Sequence, residues 1–95
     1  NLEGREKIIL KYAEPFNAKK IDWKKWAKKT DGFSGAWLRE LVTTAFSLAV
    51  QERKPNNAIV LSDDNMTKSY SIVFESRQKA NTLHSQEESL EASYY

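Results

Sequence analysis

Apolar residues recur at helical spacing in four stretches of this chain, with polar residues filling the positions between them. In the first stretch Ile9, Ala13 and Phe16 follow the 3.6-residue period, and Ile8 and Tyr12 stand four apart. The spacing predicts a helix from about Leu2 to Ala13 with Asn1 as its cap, which Pro15 cannot continue. In the second, Trp23, Trp26, Ala27 and Thr30 share one face, and Lys24, Lys25, Lys28 and Lys29 share the other. Asp22 is its N-cap, and Asp31-Gly32 closes it with a glycine able to adopt the left-handed conformation. The third is the clearest: after the N-cap candidate Ser34, the residues Leu38, Leu41, Val42, Ala45, Leu48 and Ala49 repeat up to about Arg53. Phe46 widens that stripe, which places this helix at the centre of the core. Trp37 holds the third helical position, where Glu or Gln would complete a capping box.

After the loop Arg53-Lys54-Pro55-Asn56-Asn57 comes the run Ala58-Ile59-Val60-Leu61, either a brief strand or an extended segment tucked against the helices. Ser62 or Asp63 would cap a fourth helix, whose stripe is Met66, Tyr70, Val73 and Phe74. Past Glu75 the chain is polar, with Ala80, Leu83 and Leu90 as sparse apolar residues. The expected fold is all-α, a small bundle of about four helices over residues 1–75. Residues 76–95 are expected to be a helical extension or a disordered polar tail.

Composition narrows the chemistry. The chain has 95 residues, 40% of them hydrophobic, which suits one small core. Three glycines and two prolines are too few for an all-β fold with many turns. The absence of cysteine excludes a disulfide scaffold, a thiolate metal site and a cysteine nucleophile, and a single histidine, His84, excludes a multi-histidine metal site. No apolar run is long enough to span a membrane. A net charge of +2 is too small to imply nucleic-acid binding. The charge is uneven, however: residues 1–54 carry 12 Lys/Arg and 7 Asp/Glu, residues 55–95 carry 3 and 6. The start, Asn-Leu-Glu-Gly-Arg, has neither an initiator Met nor a signal-peptide pattern, so a piece of a longer protein is expected.

Lysines interleaved with Trp23 and Trp26 could stack bases and neutralise phosphates. Helical spacing favours tryptophans toward a core and lysines toward water instead. Asp63-Asp64 and Glu87-Glu88 are explained by helix-start acidity and a solvated tail, and His84 by exposure in that tail. No Gly-x-x-x-x-Gly-Lys-[Ser/Thr] loop occurs, so the chain cannot hold nucleotide phosphates by itself. Gly35 is the exception to these structural readings. It lies in the first turn of the longest helix, where glycine costs helix stability. Either something flat or bulky approaches the bare backbone there, or a neighbouring helix packs tightly against it.

Thr30-Asp31-Gly32-Phe33-Ser34-Gly35-Ala36, followed by Leu38, Leu41, Ala45 and Ala49, resembles the T-x-G-F-S-G-A-[D]-L signature in the lid subdomain of classical AAA ATPases. Gly4-Arg5-x-x-Ile8 resembles the motif opening the lid's first helix, and Ile21-Asp22-Trp23-x-x-Trp26-Ala27 the one opening its second. Ile59 and Ser62-Asp63-Asp64-x-Met66 are similar to the stretch before its last helix. The resemblance covers about residues 3–74. It implies a C-terminal helical subdomain that covers an adenine nucleotide at the hinge with a large AAA subdomain of the same chain. It also implies that ATP state is coupled to subunit movement.

On that resemblance the nucleotide contacts are Ile8, Tyr12, Gly35 and Ala36, with Ile8 against the purine and the Gly35-Ala36 backbone along the base. Tyr12 stands where many members have His, and Trp37 replaces the usual Asp. Arg39 is not at the sensor-arginine position of other AAA+ branches and takes no such role. The resemblance further implies ATP and Mg in the full-length protein, neighbouring subunits of a homo-hexamer as partners, and a cytoplasmic location. No catalytic residue and no metal ligand is expected here, so the fragment alone should bind no cofactor and hydrolyse nothing, although the resemblance implies that it is part of an ATP hydrolase. Two other readings compete: a stand-alone helical protein-interaction module, and a helix-turn-helix nucleic-acid binder using the turn Thr30–Ser34. The second is weakened because its reading helix would be the most apolar one.

Overall fold

Side-chain caps start each helix. In the computed structural model, which describes residues 1–94 and side chains as far as residue 83, Asn1 accepts from the Gly4 amide and opens α1, Leu2–Ala13. Asp22 accepts from the Lys25 amide and opens α2, Trp23–Lys29. Ser34 accepts from the Trp37 amide and opens α3, Gly35–Glu52. Between α2 and α3, Gly32 takes φ +82°, the left-handed turn that its sequence position predicts. The fourth helix, α4, spans Asp63–Tyr94. Of its two candidate caps Ser62 is the one used. The Ser62 hydroxyl accepts from the Asn65 amide at 3.2 Å, and Asn65 Oδ1 accepts from the Ser62 amide at 3.0 Å, a reciprocal pair.

Helix α3 packs against both α1 and α4, and α2 packs on α1. The stripe on α3 accounts for this central place: Leu38, Leu41, Val42 and Ala45 are buried, while Leu48 is half-buried. Ile9, Trp26, Leu61 and Met66 close the core from the other elements. Phe16 stacks on Phe46 at 4.1 Å between ring centroids, beneath the turn that follows α1. The buried Ser69 hydroxyl donates to the Leu41 carbonyl at 2.6 Å and ties α4 to α3. Trp23 departs from the expected pattern. It is half-buried and packs on the core from the rim, as the first residue of a seven-residue helix.

The run 58–61 is extended without being a strand. A single parallel bridge joins Leu61 to Ala18: the Leu61 amide donates to the Asn17 carbonyl at 2.7 Å, and the Lys19 amide donates to the Leu61 carbonyl at 3.1 Å. Leu61 is fully buried, so this pairing anchors the long loop between α3 and α4. No strand occurs among the described residues, and the fold is an all-α bundle of four helices. None of these helices is long and apolar enough to cross a membrane. The expectations for His84, Glu87, Glu88, Leu90 and Glu91 as side chains lie outside the described residues.

Candidate functional site

The first turn of α3 is open. Gly35 and Ala36 are exposed, and a β-carbon added at Gly35 would meet no atom of the described residues within 4 Å. A tight contact with another helix of this chain therefore does not explain the glycine. The Ser34 hydroxyl takes the Trp37 amide, and the Gly35 and Ala36 amides have no hydrogen-bond partner among the described residues. These free donors sit at the positive end of an 18-residue helix.

On α1, Ile8 is 37% exposed beside the fully buried Ile9, and Tyr12, one turn on, is half-buried against the core. Arg5 lies one turn ahead of Ile8 and links the two places. Its Nε donates to the Ala27 carbonyl at 2.8 Å, and its Nη1 lies 3.3 Å from Asp31 Oδ1. The start of α1 is thus tied to the end of α2 and to the turn leading into Gly35. With Trp37 and, from α4, Ile72 and Val73, Ala36 also lines a groove of about 370 Å³ that contains neither Ile8 nor Tyr12. The four sequence-predicted residues thus fall into two pairs, one on α1 and one on α3.

The Trp/Lys segment has a different role. Trp26 is fully buried, so it offers no face to a base. Its Nε1 donates to Asp63 Oδ1 at 2.8 Å, and Lys25 Nζ donates to Asp63 Oδ2 at 2.9 Å. The Lys25 hydrogen bond holds the Asp63 carboxyl below its ordinary range; partial burial opposes this, and the Trp26 hydrogen bond adds to it. Lys25 and Lys29 each lie 5.0 Å from the Trp26 ring, and Lys29 lies 5.3 Å from that of Tyr70. The outer face predicted for all four lysines is thus divided. Lys24 and Lys28 make no ion pair among the described residues, whereas Lys25 and Lys29 lie over the aromatic cluster.

Sequence reasoning gave Asp63 a helix-start role and a place in a motif, and Arg5 only a place in a motif. Their partners lie 22 to 38 residues away, which no local spacing reveals. Arg77 was missed altogether. Its Nη2 donates to the Gly32 carbonyl at 2.9 Å, and its guanidinium sits 4.9 Å from the centroid of the Phe33 ring.

Comparison with curated proteins finds no match. Residues 20–66 match the family model of the AAA+ lid domain, a stretch that includes α2, α3 with Gly35 and Ala36, and the start of α4. Helix α1 with Ile8 and Tyr12 lies ahead of that stretch, and Arg77 lies beyond it. The capped α2, the left-handed Gly32 and the open start of α3 all fall inside the match, and the chain is a lid subdomain of the AAA+ ATPase family.

Proposed function

We propose that this lid covers an adenine nucleotide at the hinge with the large AAA subdomain, with Ile8, Tyr12, Gly35 and Ala36 facing the nucleotide. Membership of the lid family implies association with an AAA domain of the same chain, which would supply the phosphate loop and the residues that hold Mg. Ile8 offers exposed apolar surface to a purine, and Tyr12 offers a ring edge and a hydroxyl. The backbone at Gly35 and Ala36 offers free amides and no bulk. A lid that touches ATP and ADP differently shifts its own orientation between the two states, and neighbouring subunits of a homo-hexamer would sense that shift. A cytoplasmic location accords with this reading. The isolated chain should turn over no ATP.

The carrying observation is the empty space around Gly35. Packing among the described residues does not require a glycine there, yet one occupies the first helical position, where it gives up some helix stability relative to alanine, though less than in an interior turn. Close approach of a group from outside the chain accounts for both facts. Changing Gly35 to Val in the full-length ATPase tests this, by titration with ADP. The expected result is affinity weakened at least about tenfold, roughly 1.4 kcal/mol. Unchanged affinity would remove the site.

A further inference from the structure

The turn that delivers the chain to Gly35 is held from two sides. From α1, Arg5 reaches the Ala27 carbonyl and the Asp31 carboxylate. From α4, Arg77 donates to the Gly32 carbonyl at 2.9 Å, and its guanidinium carbon lies over Phe33, 4.9 Å from the ring centroid. Phe33 is itself buried and stacked on Tyr70 of α4 at 6.2 Å. Gly32, in the left-handed conformation, is the most freely rotating residue of the turn, and the carbonyl that follows its φ is the one Arg77 holds. Two residues later Ser34 caps α3, and Gly35 begins it.

We propose that Arg77 is a positioning residue for the nucleotide edge of the lid, fixing the turn Gly32–Ser34 so that the first turn of α3 keeps its orientation. The proposal rests on the nucleotide reading of Gly35 and Ala36. Arg77 touches neither residue and acts through the turn. It stands about 21 Å along α4 from Asp63, and about 25 Å of the same helix follows it. The direction of α4 at this point therefore decides where the Gly32 carbonyl is held. The planar guanidinium combines a donor with a stacking face, which a lysine does not. Phe33 remains anchored in the core without it, so loss of Arg77 loosens the turn and leaves the bundle folded.

Two measurements test this. In the 95-residue chain, Arg77→Ala should speed amide exchange at Phe33 and Trp37 by about fivefold or more, while Ala45 in the middle of α3 changes less than about twofold. In the full-length ATPase, Arg77→Ala should weaken ADP binding by about three- to tenfold, and Arg77→Lys should recover part of the loss. Unchanged exchange at the turn overturns the proposal. So does faster exchange with unchanged ADP affinity, when Gly35→Val in the same protein still weakens ADP. Exchange raised throughout the bundle in both Arg77 variants overturns it too, by making Arg77 a general stabiliser. If Gly35→Val itself leaves ADP affinity unchanged, the nucleotide reading is what has failed. The assignment of Arg77 to a nucleotide edge then falls with it, whatever the exchange rates show.

Discussion

The root of α4 and the start of α3 are both helix beginnings, yet one is chemically saturated and the other is empty. At the root, Asp63 receives hydrogen bonds from Trp26 and Lys25, and two ammonium groups cover the Trp26 ring. At the start of α3, two amides lack partners among the described residues, and the space around Gly35 is open. In the sequence, tryptophans among lysines look at first like a binding surface, but their helical spacing already turns the tryptophans inward, and Gly35 is the residue that no purely structural reading explains. A side chain that can bind something is often already bound within its own fold. A residue with nothing to offer except space, at a position where that space costs stability, points outward instead.

The contrast breaks most easily at Trp26. This side chain is fully buried in the core and bonded to Asp63, so Trp26→Ala should lower stability by about 3–5 kcal/mol in a denaturant titration of the chain. A loss below 1 kcal/mol would mean that the Trp/Lys segment is free after all, and would reopen it as a binding face.

Gly35 supplies the opposite pole. In the isolated chain the β-carbon of Gly35→Val meets no atom of the described residues, so stability should change by no more than about 1 kcal/mol, set by helix propensity. The same substitution carries its cost of about tenfold in nucleotide affinity only in the full-length protein. A chain that loses several kcal/mol on this change would show packing that the open site does not have.

Acid sharpens the saturated side. Because its partners lower the Asp63 pKa from 3.8, the pair contributes stability that is present above the unfolded value and is lost as pH falls through the lower folded value. Asp63→Asn should therefore flatten the acid limb of stability below about pH 4, an effect of about 1 kcal/mol or less for a group this exposed. An acid limb with an unchanged slope in the variant would show that other carboxylates carry it.

How much of this was legible depended on distance along the chain. The caps Asn1, Asp22 and Ser34, the α3 stripe and the left-handed Gly32 were all readable, because each is decided by neighbours within four residues. The extended character of 58–61 was readable only as a choice, since the bridge to Ala18 that settles it joins segments far apart. Trp23 illustrates the limit of periodicity: spacing gives the face but not where a short helix ends against its neighbour. The Asp63 and Arg77 contacts were invisible for the same reason, because a salt bridge or a guanidinium stack across the fold leaves no local pattern. At Gly35 the sequence raised the alternatives, and only the space around it could separate an internal contact from an open one.

The smallest expected effect separates the four lysines that the sequence placed together. Lys24 and Lys28 are exposed and make no ion pair among the described residues, so changing both to Gln should leave stability within about 0.5 kcal/mol. Lys25 and Lys29 lie over the Trp26 ring, and Lys25 also pairs with Asp63, so the double change there should cost about 0.5–1 kcal/mol, and less in high salt. The difference is set by position on a single turn of α2: Lys25 and Lys29 are four residues apart and flank Trp26, whereas Lys24 and Lys28 are turned away from it. Denaturant titrations of the two double variants at low and high salt provide the comparison. Equal losses in both would mean that the lysines act only through their summed charge. A salt-independent loss in the Lys25/Lys29 variant would assign the effect to packing of the aliphatic stems on the indole instead of to the ammonium groups.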